Sequence, residues 1–210
     1  MKSLLHVLVI LLTFALPGRA EVKYSGLVTL TVPFTEEGIY VNPRSWEVTF
    51  TAPATWDSQP WINLFYGGSM LATNSMLTPV IQSPATGLGD GRLIRLSAGE
   101  MIDASRNFAD GDNGSDSHMG LEIQNFRAAT AGYVGFALHD GPSMDCGWMR
   151  VTMNNNGTGT IHDWAYDNSG VSIAAGFIGV PEPGACALSA VTLTMLRRRR
   201  RPLLKPSPGP

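Results

Sequence analysis

Frequent turn-forming residues are the feature that most restricts how this chain can fold. Between residues 21 and 180, Gly, Pro, Asn, Asp and Ser interrupt the sequence every few residues, and no long stretch repeats apolar residues at the 3.6-residue spacing of a helix. The short runs between these interruptions are rich in β-branched and aromatic residues, which favour strands. They are GLVTLTV (26–32), WEVTFTA (46–52), WINLFY (61–66), RLIRLS (92–97), GLEIQNF (120–126), GYVGFAL (132–138), CGWMRVTM (146–153), TIHDWAY (160–166) and VSIAAGFI (171–178).

Many short strands at this spacing predict an all-β fold, an antiparallel β-sandwich with jelly-roll-like connections, over residues 21–179. Tight turns are expected at 154–159 and 167–170, where Asn and Gly tolerate positive φ. The stretch 70–82 could form a helical turn limited by Pro79. About 160 residues are enough to bury a sizeable core without disulfides.

The first twenty residues predict a cleaved secretory signal peptide. Lys2 supplies a positive start, Leu4 to Leu16 form an apolar segment, and small residues precede a cleavage site after Ala20. The apolar segment is short for a membrane span. We therefore expect residues 1–20 to direct export and then to be removed.

The charge of the chain is distributed unevenly. Its formal net charge is −2, but residues 21–180 hold seven basic and sixteen acidic side chains, a net charge of −9. A nucleic-acid-binding protein needs a basic surface, so this acidic body argues against nucleic acid as a partner.

The C-terminal segment combines a Pro-Glu-Pro triplet, a short apolar run and five arginines. Ala185 to Leu196 spans only about 18 Å as a helix, whereas a bilayer core is about 30 Å thick. The arginines at 197–201 would stay on the cytoplasmic side of a membrane. The residues of this segment that carry its pattern are Val180, Pro181, Glu182, Pro183 and Gly184, followed by Arg197, Arg198, Arg199, Arg200 and Arg201.

This order of parts resembles the PEP-CTERM sorting signal, which we assign to 180–201, with 202–210 as a disordered extension. The stretch 132–176 is also similar to a region common in secreted PEP-CTERM proteins. The resemblance implies export through the Sec translocon and processing by exosortase, a membrane-embedded protease of Gram-negative bacteria that make exopolysaccharide and biofilm matrix. It implies a location at the cell surface or in the matrix, with a transient or retained transmembrane anchor.

An acidic, Gly-rich loop at 108–120 is a candidate calcium site. Asp110, Asp112 and Asp116 alternate with small residues, and such oxygen ligands suit a hard cation. The EF-hand pattern is incomplete, since Gly114 and Leu121 occupy the fifth and twelfth positions counted from Asp110. A solvated acidic loop without a cation is the alternative, and calcium is the only cofactor that the sequence points to.

Tryptophans raise the possibility of a sugar-binding surface. Trp46, Trp148 and Trp164 fall in predicted strands, where a large aromatic residue is usually part of the core. Trp56 and Trp61 flank a polar loop and are the better surface candidates for stacking on a glycan.

The sequence contains no established catalytic motif. His139-Asp140 and His162-Asp163 are adjacent pairs, and neighbouring side chains on a strand point to opposite faces. The two cysteines form no metal-binding or redox spacing. Cys146 is interpreted either as a buried small hydrophobic residue or as a thiol that is exposed or forms an intermolecular disulfide.

The sequence therefore predicts a secreted, non-enzymatic structural or adhesion protein of the exopolysaccharide matrix. A carbohydrate-binding module that recognises exopolysaccharide is the first alternative, and a polysaccharide-active enzyme is the second.

Overall fold

The computed structural model describes residues 21–64, 71–82, 93–109, 126, 130–139, 141, 143–154 and 158–179. The chain divides between Gly179 and Val180, and every described residue lies in the first unit, Met1–Gly179. The described residues contain twelve strands and no helix. The strands are β1 (Val22–Tyr24), β2 (Leu30–Val32), β3 (Ile39–Val41), β4 (Val48–Thr49), β5 (Ile62–Leu64), β6 (Leu71–Thr73), β7 (Leu77–Pro79), β8 (Met101–Ile102), β9 (Gly132–Leu138), β10 (Asp145–Met153), β11 (Gly159–Asp167) and β12 (Ile173–Ala174).

These strands form three antiparallel sheets. The first sheet has the order β1-β11-β10-β9-β7, and β2 also pairs with β11. The second has the order β4-β3-β5-β6, and β8 pairs with β12 in a small third sheet. The predicted all-β class is confirmed, and the jelly-roll connectivity stays a prediction.

The main core lies between the first and second sheets. Val41 and Ile62 of the second sheet and Phe136 and Met149 of the first belong to one cluster of fully buried side chains. Two antiparallel sheets that share a core in this way make a sandwich.

A second core covers the other face of the first sheet. Trp148, Cys146 and Ala165 of that sheet pack with Ile102 of β8 and Ile173 of β12. The central strands are therefore buried on both faces, and most residues of β9, β10 and β11 are buried.

A β-bulge in β11 decides which of its residues face which core. Arg150 is opposite Asp163 but Val151 is opposite Ile161, so His162 is the extra residue. Because of this insertion, Ile161 and Trp164 both reach the main core although they are three residues apart.

The expected helical turn at 70–82 is wrong. Residues 71–73 and 77–79 are strands β6 and β7, and the turn between them carries the chain from the second sheet to the first. Asn74 holds this turn because its Oδ1 accepts the Met76 amide at 3.1 Å. Pro79 is tolerated because β7 is the edge strand of its sheet.

The other sequence-based expectations have mixed outcomes. Strands β9, β10 and β11 match their predicted runs closely, and the turn at 167–170 is present with Gly170 at φ 74°. Strands β1, β3 and β8 were not predicted, while the run 92–97 contributes isolated bridges at Leu93 and Leu96 instead of a strand. The predicted strand 120–126 lies outside the described residues except for Phe126, which is buried in the main core.

Candidate functional site

An open groove beside β8 is the place where polar side chains converge on a concave surface. Its volume is about 450 Å³. The groove is lined by Ile81, Gln82, Ile94, Met101, Asp103, Ser105, Arg106 and Asn107. Isolated bridges between Ile81 and Leu93 and between Val80 and Phe108 bring these distant segments together.

A tight turn orients the acidic side of the groove. The backbone amide and the hydroxyl of Ser105 both donate to Asp103 Oδ1, at 2.8 and 2.5 Å, and the Arg106 amide donates to the Asp103 carbonyl oxygen at 3.1 Å. The hydrogen bonds from Ser105, the side-chain one first, hold the pKa of Asp103 below its usual value. Asp103 is therefore a fixed anionic acceptor at neutral pH.

Arg106 provides the basic side of the groove. Its Nε donates to the Met101 carbonyl oxygen at 2.8 Å, and one terminal nitrogen lies 3.6 Å from Glu100 Oε1. Met101 adds an exposed apolar surface next to this guanidinium. Such a mixture of an anionic acceptor, a cationic donor and an apolar patch suits a small polyhydroxylated ligand.

Trp61 does not lie on the surface, so the expectation that it could stack on a glycan is wrong. Its side chain is fully buried, and its Nε1 donates to Thr55 Oγ1 at 3.1 Å. The residue immediately precedes β5, whose three residues are all buried as well.

Trp56 remains partly accessible. Its ring makes an edge-to-face contact with Tyr40, with 5.6 Å between the ring centroids, and its carbonyl oxygen accepts a hydrogen bond from Asn74 Nδ2. The prediction of a glycan contact at Trp56 stays a prediction.

Trp46 is a second tryptophan whose location differs from the one that the sequence predicts. We expected it in a strand and in the core, but it ends the turn between β3 and β4 with φ 68° and a relative exposure of 43%. The segment Asn-Pro-Arg-Ser at 42–45 is a turn signal that could have located this hairpin.

Two buried aspartates are paired with arginines, one within the first sheet and one between the two main sheets. Asp163 accepts two hydrogen bonds from Arg150, at 2.8 and 2.7 Å, and a third from the Tyr24 hydroxyl at 2.9 Å. Burial, followed by the bonded Asp163 carboxylate, raises the pKa of Tyr24. Asp145 accepts a bond from Arg44 at 2.9 Å and another from Ser143 at 3.2 Å.

Each of the two histidines that precede an aspartate lies within hydrogen-bond distance of a threonine hydroxyl, and Asp140 lies outside the described residues. The Nε2 of His139 lies 2.7 Å from Thr78 Oγ1, and the Nε2 of His162 lies 2.8 Å from Thr152 Oγ1. His162 and Asp163 thus have different partners, as expected for neighbouring residues of one strand.

Several predicted sites lie outside the described residues. They are the cleavage site at Ala20, the calcium candidates Asp110, Asp112 and Asp116, and the sorting signal with Val180, Pro181, Glu182, Pro183, Gly184 and Arg197 to Arg201. Within the described ranges there is no group of three or more metal-ligating side chains, and no helix there has the length and apolarity to span a bilayer.

Fold and site together define this chain as a β-sandwich protein with an open polar groove and with an exposed tryptophan, Trp46, between β3 and β4. Comparison with protein-family models, with curated proteins and with solved structures finds no match to it.

Proposed function

We propose that this chain is a secreted, non-enzymatic structural or adhesion protein of an exopolysaccharide matrix, sorted to the surface of a Gram-negative bacterium by an exosortase-type protease. The observation that carries the proposal is the order of parts in one chain. A leader at 1–20 precedes an acidic β-rich body, and a Pro-Glu-Pro motif with an apolar run and arginines follows it.

The described residues between 21 and 179 are well packed, which supports this role. The first sheet is covered by packed side chains on both faces, and the buried Asp163 is paired with Arg150 of the neighbouring strand. Rigidity of this kind suits a protein that is exposed to proteases outside the cell, because proteolysis acts on locally opened segments.

The test is intact-mass spectrometry of the protein recovered from the membrane and medium fractions of cells that produce it. We expect a mass that begins at Glu21 and ends between Pro181 and Gly184. A variant with Pro181, Glu182 and Pro183 replaced by alanine should keep its C-terminal arginines and stay in the membrane fraction.

Two outcomes would contradict the sorting proposal. One is a wild-type mature chain that retains Arg197 to Arg201, and the other is a triple variant processed like the wild type. A leader that is not removed would contradict the export step separately.

The groove favours a second candidate function, a carbohydrate-binding module for exopolysaccharide. Asp103 would accept hydrogen bonds from sugar hydroxyls, and Arg106 would donate hydrogen bonds to them. Met101 would contact an apolar face of the sugar. The full chain should be retarded in a native gel that contains the polysaccharide, and Asp103→Ala or Arg106→Met should restore its mobility.

Arg95→Met is the matched control for Arg106→Met. Arg95 follows the groove residue Ile94, but its guanidinium bonds to Thr130 and to the Ala131 carbonyl oxygen instead. Equal retardation of the Arg106 and Arg95 variants and the wild type would remove the groove from consideration.

A further inference from the structure

The hairpin between β3 and β4 is closed by four hydrogen bonds from and to Asn42. Its backbone amide donates to the Glu47 carbonyl oxygen, and its own carbonyl oxygen accepts from the Trp46 amide, both at 2.9 Å. Its side-chain Oδ1 accepts from the amides of Arg44 and Ser45, both at 3.0 Å. The conformation of Trp46 is therefore imposed by a well-bonded turn.

That conformation is unfavourable for a tryptophan. A φ of 68° lies in the left-handed region, where a side chain approaches the backbone too closely and Gly or Asn is normally found. The turn alone would be more stable with Gly at position 46. Because the turn itself does not require a tryptophan at this position, the backbone strain at Trp46 suggests a role for its side chain.

The indole of Trp46 is held firmly and yet stays accessible. Its ring centroid lies 6.2 Å from that of Trp164, with 59° between the ring planes. Trp164 is buried, and its Nε1 donates to the Pro43 carbonyl oxygen of the same hairpin at 3.2 Å. With 43% of its surface exposed, Trp46 offers a rigid aromatic face that loses little conformational entropy on binding.

The charges around the hairpin select the kind of ligand. Arg44 points to Asp145, at 2.9 Å, and its guanidinium lies over the Tyr166 ring at 5.1 Å. Glu47 is exposed next to Trp46, and residues 21–180 have a net charge of −9. A polyanion would be repelled by this field, whereas the C–H face of a neutral sugar ring can stack on an indole.

We propose that Trp46 is the stacking residue of a binding site for a neutral polysaccharide. The inference rests on the proposed role in an exopolysaccharide matrix and places the contact on the hairpin between β3 and β4, apart from the groove beside β8.

The experiment compares Trp46→Phe with Trp46→Leu in the full chain. Both substitutions keep an apolar side chain in the same strained conformation, but only phenylalanine keeps an aromatic face. Mobility is measured in native gels containing hydroxyethylcellulose, laminarin, xylan or dextran, with alginate as the acidic comparison. We expect the wild type to be retarded by at least one neutral polysaccharide and not by alginate.

Trp46→Phe should retain that retardation, and Trp46→Leu should weaken the apparent affinity about tenfold. Trp46→Gly and Trp46→Ala are a second pair. Both should lose binding, and the Gly variant should unfold at a higher urea concentration than the Ala variant because Gly tolerates the positive φ.

The inference is overturned if the wild type is retarded by no neutral polysaccharide, or if Trp46→Leu binds as the wild type does. Loss of binding in Arg106→Met but not in Trp46→Leu would move the contact to the groove. None of these results bears on export or on processing at the Pro-Glu-Pro motif, so the sorting proposal is judged separately by the mass measurement.

Discussion

At the scale of single residues, Cys146 shows how burial decides chemistry. The side chain belongs to the second core, where it packs with residues such as Trp148 and Ile102, and it forms no disulfide. Burial first, and then the nearby carboxylates of Asp103, Asp145 and Asp167, raise the pKa of the thiol to about 11. The interpretation of Cys146 as a small hydrophobic core residue is confirmed.

We predict that Cys146 is inert in the folded protein. A rise in pKa from 9.0 to about 11 lowers the thiolate fraction about a hundredfold at pH 8, and burial excludes the reagent as well. In the full chain with Cys186→Ser, iodoacetamide at pH 8 should label Cys146 only after urea is added. Equal labelling rates with and without urea would contradict the prediction.

The raised pKa also fixes the direction of a pH effect. The neutral thiol favours the folded state, so this contribution is complete below the unfolded-state pKa of 9.0 and is lost as the pH rises towards about 11. In Cys146→Ala, the free energy of unfolding should therefore fall less between pH 9 and pH 11 than it does in the wild type.

At the scale of elements, the edge formed by β1 and β2 is irregular. Both strands pair with β11, and the segment between them contains Gly26 at φ 73° and Thr29 at φ 55°. The amide of Val28 still donates to the His162 carbonyl oxygen at 2.9 Å, opposite the bulge in β11. The edge strand is thus bent to follow the bulge of its neighbour.

We predict that Thr29→Gly stabilises the protein. Thr29 is exposed and β-branched, and a positive φ is strained for such a residue. The substitution should raise the free energy of unfolding in urea by about 0.5 to 1 kcal/mol, because Gly adopts this φ without strain.

Thr31→Gly is the control for this prediction. Thr31 is also exposed, but it lies within β2, where Gly weakens a strand. The control should lower the free energy of unfolding. A lower value for Thr29→Gly as well would show that the strain at Thr29 is smaller than the conformational entropy that Gly loses on folding.

At the scale of the whole molecule, a few polar contacts join the two main sheets in addition to the apolar core. Arg44 belongs to the hairpin of the second sheet, and Asp145 begins β10 of the first. Asp145 is almost completely buried, and its carboxylate is paired with the Arg44 guanidinium and accepts a hydrogen bond from the Ser143 hydroxyl. The same hairpin accepts the indole hydrogen bond of Trp164.

We predict that Arg44→Met lowers the free energy of unfolding by about 2 to 3 kcal/mol, since it leaves a buried carboxylate without its cation. Chemical denaturation in urea measures the change. Lys23→Met is the control, because its pair with Glu21 is exposed and surface pairs contribute about 0 to 1 kcal/mol. Similar losses for the two variants would contradict the idea that burial makes the Arg44 pair important.

Local sequence determined the all-β class, the central strands and the turn at 167–170, because turn chemistry and strand propensity act over a few neighbouring residues. The run 132–138 was predicted with its observed boundaries for this reason. The turn at Asn74 was missed although its residues are turn formers, since an apolar run around it also fits a helical turn.

Only the tertiary structure decided which tryptophan is exposed and where the groove lies. Trp61 is buried and Trp46 is exposed, the reverse of what the sequence predicts. Trp61 contacts Thr55, and Trp46 contacts Trp164, which lies more than a hundred residues away along the chain. The single extra residue at His162 likewise changes which face of the sheet each later residue of β11 points to. The groove brings Ile81 close to Asp103 through isolated bridges between distant segments, which no local sequence pattern encodes. Pairing between distant segments sets these features, and the sequence within each segment is compatible with several pairings.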